Sequence, residues 1–382
     1  MIQKLVQNHQ QKFNMAPDKR VFAPGRVNFI GEHTDYNGGW VMPLALDKGI
    51  YAAVSKNGSR LLRIQSLDYN AYAEFDIDTL KPDTALTWAN GPKGIVSVIR
   101  ANGHTIEGFD LTLTGNIPIG AGLSSSAAVE VAVGFAVKEL FGLSFDNVAL
   151  AKMSQKAEHA FTGTKCGIMD PMISVLGKEK MLLTLSCADL SYLYSPLELG
   201  DAALLIVNSK VKHHLAESAY NKRREECAEI MDLLCKAGNG LKNLSDYSLD
   251  ALKAANSLLP PVLYRRLHHV LSENERVQQV SYKLKGKNLK AVGELLTQSH
   301  ISLRDNYEVS CEELDWLVDN ALAVTGVYGA RMTGGGFGGC VIVLLKKKSR
   351  DVYKKSLDGY RARFNVLPEI YEAVPSAGVR VI

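Results

Sequence analysis

Residues 118–127 read P-I-G-A-G-L-S-S-S-A and lead directly into a helical apolar pattern that begins at Ser126. Small residues let backbone amide groups converge on an anion at a helix N-terminus, where the helix dipole also favours negative charge. The spacing is neither the G-x-x-x-x-G-K-S/T of a P-loop nor the G-x-G-x-x-G of a dinucleotide fold. This stretch therefore predicts a phosphate-binding loop of a different class, with a plain turn and a serine N-cap as the alternative.

A second glycine cluster lies at residues 332–340, M-T-G-G-G-F-G-G-C, between two strand-like runs. So many glycines serve either the close approach of backbone to a ligand or a tight hairpin. The hairpin remains a serious alternative, because glycines are common between strands. The other phosphate-type loop in the same chain favours the ligand interpretation.

A dense polar segment lies near the N-terminus, where residues 25–39 read G-R-V-N-F-I-G-E-H-T-D-Y-N-G-G. Carboxylates such as Glu32 and Asp35 accept hydrogen bonds from sugar hydroxyls, and glycines at both ends let the backbone turn around a small ligand. Arg26, Asn28 and His33 add further polar groups. By spacing alone, a ligand site and a polar surface loop remain equally open.

The remaining pattern predicts an α+β protein with two lobes, divided near residue 200 into 1–199 and 200–382. The first half alternates short strand-like runs with glycine-rich turns, and the second half is mainly helical up to a closing helix and final strand. Predicted strands cover 20–23, 49–55, 61–66, 110–114, 181–185, 203–207, 330–333 and 340–345; predicted helices cover 126–141, 147–161, 217–237, 261–271, 273–284, 289–303 and 311–323.

Composition excludes several classes of protein. The 382 residues carry a net charge of +4, with basic and acidic residues mixed along the chain, so we expect no nucleic-acid partner. The six cysteines lie far apart without zinc-ligand spacing, which is typical of reduced thiols. Neither a secretory signal nor a membrane-spanning apolar stretch occurs, so we expect a cytoplasmic protein without a membrane partner, and a monomer.

Taken together, these segments resemble the galactokinase family of the GHMP kinase superfamily. Residues 25–39 resemble the galactokinase signature, 118–127 the ATP motif of GHMP kinases, and 329–340 their third, C-terminal glycine motif. Three further stretches are similar to the family: A-E-H at 157–159, C-G-I-M-D at 166–170 and S-A-Y-N-K-R-R-E-E-C at 218–227. The similarity follows the family's order from about residue 21 to residue 345.

The resemblance implies a fold and a reaction. The expected architecture is a two-lobed GHMP kinase fold, with the active site between an N-terminal mixed α/β lobe and a C-terminal ferredoxin-like α+β lobe. The expected reaction is the ATP-dependent phosphorylation of galactose at its anomeric hydroxyl, the first committed step of galactose catabolism. ATP is the cosubstrate and Mg²⁺ the cofactor, since phosphoryl transfer needs cations to neutralise developing oxygen charge.

The resemblance also implies roles for individual residues. Asp170 contacts the reacting hydroxyl as the base, and Arg26 beside it favours its ionised form. Loose transition states need little nucleophile activation, so proton removal and simple orientation both remain open for Asp170. The expected sugar contacts are Glu32, His33, Thr34, Asp35, Gly167, Asp170 and Tyr220. The expected triphosphate contacts are Gly120, Ala121, Gly122, Leu123, Ser124, Ser125 and Ser126, with Ser126 and Glu158 as magnesium ligands.

Two departures from the family pattern and two rival functions stay open. Pro171 replaces the usual glutamine after the aspartate, which predicts an N-cap Asp170 with proline in the first helical position. Gly91 and Pro92 lie in a segment near the family's adenine side, where nucleotide affinity is open to change. The rival functions are a kinase for another monosaccharide, such as N-acetylgalactosamine, and a catalytically silent sensor of sugar and ATP.

Overall fold

The computed structural model describes residues 1–118, 120–212 and 216–382. The helices are α1 Ile2–Phe13, α2 Asn90–Ala101, α3 Ser125–Phe141, α4 Asn147–Ala157, α5 Met169–Leu176, α6 Ala216–Lys236, α7 Leu252–Ala255, α8 Pro261–Lys285, α9 Leu289–Ser302, α10 Glu312–Leu322, α11 Arg350–Ser356 and α12 Asp358–Phe364. The strands are β1 Lys19–Asn28, β2 Trp40–Val41, β3 Pro43–Lys56, β4 Leu61–Ser66, β5 Ala71–Asp76, β6 Phe109–Gly115, β7 Met181–Ser186, β8 Tyr192–Pro196, β9 Ala202–Lys212, β10 Val327–Thr333, β11 Gly338–Lys346, β12 Glu369–Glu372 and β13 Arg380–Val381.

The first lobe is built on a mixed sheet in the order β13-β1-β3-β6-β4-β5. Strands β4 and β6 are parallel, and the other neighbours are antiparallel. Helices α3 and α5 pack against β1 and β3, α2 and α4 pack against α3, and α1 packs against β3 and β6. A smaller sheet, β2-β7-β8, lies beside them. This lobe carries both the polar signature segment, after β1, and the phosphate-type loop, before α3.

Helix α3 is buried on most sides because its sequence is rich in alanine and valine. A methyl group on Gly134 would lie 2.6 Å from Leu150 Cδ1 and 2.9 Å from Ile95 Cγ1, so neighbouring helices approach closely here. Gly142, with φ 65°, ends the helix in the left-handed conformation. The N-terminus of α3 is therefore held firmly in place, which matters because it faces the site described below.

The second lobe contains an antiparallel sheet in the order β10-β11-β9-β12. In chain order this is a β-α-β-β-α-β arrangement with the ferredoxin-like strand order. Alternate residues of β11 enter different cores: Cys340, Ile342 and Leu344 join the core of the first lobe, whereas Val341 and Val343 join the second. The two lobes thus pack through a continuous apolar layer. The division at residue 200 stays a prediction, and β13 returns to pair with β1.

Some predicted elements differ from the structure. The helices predicted at 261–271 and 273–284 form the single helix α8. The polar residues Ser272 and Glu273 suggested a break, but Glu273 is buried inside the continuous helix. Helix α2 was not predicted because Gly91, Pro92 and Gly94 occur in its first turns, where proline is tolerated. The predicted closing helix is two short helices, α11 and α12. In the parts of the chain that the structure describes, none of the helices could span a membrane.

Candidate active site

A cavity of about 590 Å³ opens between the two lobes. Its walls come from the segment after β1, the loop before α3, the end of α4, the loop before α5, the start of α6 and the glycine turn between β10 and β11. The three segments that the sequence singled out are therefore brought together in one place. Arg26, Gly120 and Asp170 all line this cavity.

An arginine–aspartate pair lies in the cavity wall. Arg26 Nε donates to Asp170 Oδ1 at 2.7 Å and Nη2 donates to Oδ2 at 2.8 Å, a bidentate arrangement. The third nitrogen, Nη1, donates to the Gly122 carbonyl at 2.7 Å. Burial alone would lower the pKa of Arg26, but the Asp170 and Glu32 carboxylates outweigh burial and raise it. A permanent positive charge therefore links Asp170 to the phosphate-type loop.

Asp170 is not the N-cap that the sequence predicted. Helix α5 begins at Met169 with Ile168 as its N-cap, so Asp170 and Pro171 both lie in the first turn. Proline fits there because the first four amide groups of a helix have no intrahelical partner. The Asp170 side chain, 22% exposed, remains available to the cavity.

The phosphate-type loop presents backbone at the N-terminus of α3. Gly120, Gly122 and Ser124 have φ angles of 75°, 70° and 58°, which bend the chain tightly before the helix starts at Ser125. Ser124 occupies the N-cap position, but its hydroxyl donates to Asp170 Oδ2. A serine therefore occupies the N-cap position, as the alternative interpretation expected, but its side chain does not cap the helix. All seven predicted triphosphate residues line the cavity.

The glycine turn between β10 and β11 covers this loop. A methyl group on Gly334 would lie 3.3 Å from the Gly122 carbonyl, and one on Gly339 would lie 3.5 Å from the Ala121 carbonyl. The Cys340 thiol donates to the Ala121 carbonyl at 3.0 Å. The cluster is thus a hairpin turn and also a wall of the cavity, while close approach of its backbone to a ligand stays a prediction.

Glu32 joins the signature segment to the glycine turn. Its Oε1 accepts from the Gly334 amide at 2.7 Å and the Thr333 hydroxyl at 3.0 Å, and lies 3.2 Å from Arg331 Nη2. Its Oε2 accepts from Asn28 Nδ2 at 2.9 Å. Glu32 lines the cavity, yet its oxygens already hold the two lobes together.

His33 is buried and Asp35 half-buried beside the cavity, and the pKa of each side chain is shifted from its usual value. Burial lowers the pKa of His33 to about 3, so the ring is neutral; its Nδ1 lies 2.8 Å from the Tyr36 hydroxyl, and Nε2 is buried without a hydrogen-bond partner. Burial, followed by the nearby Asp170 charge, raises the pKa of Asp35 to about 7. Both side chains keep polar atoms for a ligand.

Thr34 lies outside the cavity lining. Its side chain is fully buried, and its hydroxyl faces the carbonyl oxygens of Gly31 at 2.9 Å and Trp40 at 2.8 Å. The predicted sugar contact through Thr34 is therefore not supported by this geometry. Its hydroxyl instead closes the turn that presents His33 and Asp35.

Two further predicted sugar residues do line the cavity. The Tyr220 ring lies 5.7 Å from the His33 ring and 5.8 Å from the Tyr36 ring, measured between centroids. A methyl group on Gly167 would lie 1.6 Å from Asp35 Oδ2, so only glycine fits at that position. Tyr36 was missed by sequence reasoning, although it belongs to the quoted signature.

The predicted magnesium residues lie at one end of the cavity. Ser126 and Glu158 line it together with Glu130, which the sequence analysis missed. Glu130 Oε1 and Glu158 Oε2 are buried oxygens without hydrogen-bond partners, and oxygen ligands of this kind suit Mg²⁺. Burial, followed by the charge of Glu158 and a hydrogen bond with it, raises the pKa of Glu130 well above its usual range.

Comparisons with known proteins agree with this geometry. Three family models match the chain: the galactokinase galactose-binding signature at residues 7–56, the GHMP kinases N terminal domain at 90–178 and the GHMP kinases C terminal domain at 281–355. Galactokinases of Chloroflexus aurantiacus and Bacillus subtilis are each 41% identical to it. The alignments cover 93% and 94% of this chain, and 91% and 93% of those relatives. The chain belongs to the galactokinase family.

Structures of galactokinases and their relatives extend the comparison. The crystal structure of Lactococcus lactis galactokinase complexed with galactose is 33% identical, with a TM-score of 0.96 and full coverage of both chains. Mevalonate kinase of Methanococcus jannaschii, 18% identical with a TM-score of 0.64 over 95% of this chain and 98% of that one, shares the fold alone. The two-lobed GHMP kinase fold predicted from the sequence is confirmed.

The segment around Gly91 and Pro92 departs from the family pattern without lining the cavity. Gly91 lies at the start of α2, where an added methyl group would meet Val129 and Glu130 at 3.5–3.7 Å. Any effect of this departure on nucleotide binding would depend on the packing of Gly91 against α3, beside Glu130.

Proposed function

We propose that this chain transfers the terminal phosphoryl group of ATP to the anomeric hydroxyl of galactose, giving galactose 1-phosphate and ADP. The observation that carries the proposal is the bidentate Arg26–Asp170 pair, which lies between the galactokinase signature segment and the N-terminus of α3. Galactokinase relatives at about 40% identity support the same reaction. Both substrates would then meet at Asp170.

Asp170 would accept a hydrogen bond from the reacting hydroxyl and hold its oxygen in line with the phosphoryl group. Arg26 and Ser124 fix the carboxylate from two directions, which limits the positions that the hydroxyl can take. The Arg26 guanidinium also lies where it can stabilise charge on the transferring group. Because phosphoryl transfer depends on positioning more than on covalent chemistry, these contacts match its demands.

The nucleotide would bind with its phosphates against residues 120–126. Free amide groups at the start of α3 and the helix dipole favour the triphosphate there. Ser126 and Glu158 would supply oxygen ligands for Mg²⁺, which would neutralise phosphate charge when bound. Each of these roles follows from placement in the cavity together with the family resemblance.

The sugar would bind on the other side of Asp170. Neutral His33, Asp35 and Tyr220 offer both donors and acceptors to sugar hydroxyls, whereas Glu32 acts mainly through its contacts with the glycine turn. A monomeric state and a cytoplasmic location remain predictions from the sequence.

A panel of monosaccharides tests the proposed substrate. Purified protein with Mg²⁺ and ATP should release ADP with galactose at a much higher kcat/KM than with N-acetylgalactosamine, because the close packing of Gly167 on Asp35 limits space near the sugar. A preference for the acetamido sugar would overturn the galactose assignment. Tight binding of both ligands without turnover would instead support the sensor alternative.

Gly167→Ala should strongly impair use of the sugar. The new methyl group would displace Asp35, and a shift of about 1 Å in a positioning group costs roughly 100-fold in catalysis. We expect kcat/KM for galactose to fall by about that factor while the KM for ATP changes little. Gly286→Ala is the matched control, since its methyl group would meet only the Lys283 carbonyl at 3.6 Å. Equal kinetics for the two variants would contradict the assigned role of Asp35.

A further inference from the structure

Glu130 has no role in the site as predicted from the sequence, yet its placement is unusual. It follows Ser126 by four residues on α3, so both side chains lie on the same helical face. Only 1% of Glu130 is exposed, although its side chain lines the cavity beside the phosphate-type loop. A carboxyl group buried in this way requires a partner, because burial of an unpaired charge costs several kcal/mol or more.

Glu158 approaches the same point from the end of α4. It begins the π-helical turn Glu158–Thr162, is 6% exposed, and its Oε1 accepts from the Thr162 hydroxyl at 3.2 Å. Its Oε2 has no hydrogen-bond partner, and the same is true of Glu130 Oε1. Two buried acidic groups on different helices therefore each leave one oxygen free.

Among the side chains that the structure describes, no basic group pairs with these two carboxyl groups. Within residues 1–118, 120–212 and 216–382, neither Glu130 nor Glu158 forms an ion pair with lysine, arginine or histidine. Adjacent carboxylates repel one another unless a proton or a cation lies between them. The cation is favoured here because the Ser126 hydroxyl lies on the same face, at the helix end that would receive phosphates.

We propose that Glu130 is a metal-site residue that holds, together with Glu158, the divalent cation accompanying ATP. The proposal rests on the proposed function and adds a second carboxylate to the Ser126 and Glu158 pair. Mg²⁺ commonly binds through one or two carboxylates, with substrate phosphates and water completing its octahedron. Even residues that only orient metal ligands typically contribute 10–100-fold to metal affinity, so a carboxylate that binds the cation directly should contribute at least as much.

Calorimetric binding of ADP measures this contribution without turnover. ADP is titrated into each protein once with excess Mg²⁺ and once with EDTA, and the ratio of the two dissociation constants gives the gain from the metal. In Glu130→Gln and in Glu158→Gln we expect the wild-type gain to fall by roughly tenfold or more. Glu139→Gln, on the same helix but outside the cavity lining, should keep the full gain.

Further variants separate the possible outcomes. Glu130→Asp keeps the charge and should retain more of the metal gain than Glu130→Gln. A full gain in Glu130→Gln alongside a reduced gain in Glu158→Gln would overturn the role of Glu130 while leaving the proposed function intact. If the affinity of the wild-type protein for ADP is the same with Mg²⁺ and with EDTA, the metal site as a whole is refuted. If the melting temperature of Glu130→Gln in EDTA equals or exceeds that of the wild type, the proposal is supported. A purely structural role of Glu130 predicts instead a lower melting temperature and an unchanged gain in ADP affinity from Mg²⁺.

Discussion

Asp170→Asn is expected to lower kcat by roughly 10²–10⁴-fold, the range attributed to a positioned acid–base group. Asparagine cannot accept a proton, and in either orientation its amide nitrogen would face an N–H of the Arg26 guanidinium, donor against donor. The reacting hydroxyl would therefore lose both its acceptor and its fixed orientation. The KM for ATP should change little, since the proposed position of the phosphates is against the backbone of residues 120–126.

Steady-state kinetics with galactose and ATP compare kcat and the KM for ATP between the wild type and Asp170→Asn. Asp189→Asn is a suitable control, because that aspartate accepts local hydrogen bonds from Ser186 and Ser191 in an exposed turn. Ser124→Ala should have a smaller effect than Asp170→Asn, because the Arg26 contacts survive. Near-normal turnover by Asp170→Asn would show that the carboxylate is not needed for transfer.

The parts of the site that could be predicted from the sequence are those fixed by local chemistry. Helix α3 starts within one residue of its predicted position. The prediction succeeds because the apolar pattern of the helix and the glycine–serine run before it are local features of the sequence. Placement of Arg26 and Asp170 was predicted through the family resemblance, and the structure joins them by two hydrogen bonds. Spacing alone could not have paired side chains 144 residues apart.

Within the E-H-T-D stretch, the sequence could not distinguish ligand-facing from structural side chains. His33 adopts a φ angle of 62°, and this left-handed residue turns the backbone so that Thr34 points back to the Gly31 and Trp40 carbonyl oxygens. Non-glycine residues seldom adopt this conformation, and no composition rule predicts it at a histidine. The orientation of the Thr34 side chain therefore reflects local backbone geometry.

Buried charges were the other feature beyond sequence reasoning. Polar residues such as Glu130 and Glu273 look like solvent-facing positions in a helix, because burial depends on contacts made by distant segments. Glu273 also explains why two helices were predicted in place of α8, since a charged residue next to Ser272 is typical of a loop. Its partners come from the signature segment, more than 240 residues earlier in the chain.

Glu273→Ala should destabilise the fold by about 3–5 kcal/mol, the cost of breaking a buried ion pair. Glu273 is fully buried; its Oε1 accepts from the Gly31 amide at 3.0 Å and the Ser299 hydroxyl at 2.7 Å, and Oε2 accepts from Arg276 Nε at 2.7 Å. Its loss would leave Arg276 buried without its carboxylate. Urea denaturation at pH 7 measures the free energy of unfolding, and exposed Glu275→Ala on the same helix should change it little.

The same variant should show a distinct dependence on pH. Burial alone would raise the pKa of Glu273, but Arg276, Arg331 and His269 lower it well below its usual value of 4.5. A depressed pKa means that the carboxylate stabilises the folded state above pH 4.5, and that this stabilisation is lost as the pH falls below that value toward the folded-state pKa. The difference in unfolding free energy between wild type and Glu273→Ala should therefore be largest near neutral pH and shrink below pH 4.5. A difference that stays constant down to acid pH would mean that Glu273 acts through packing alone, and the signature segment would then owe its position to other contacts.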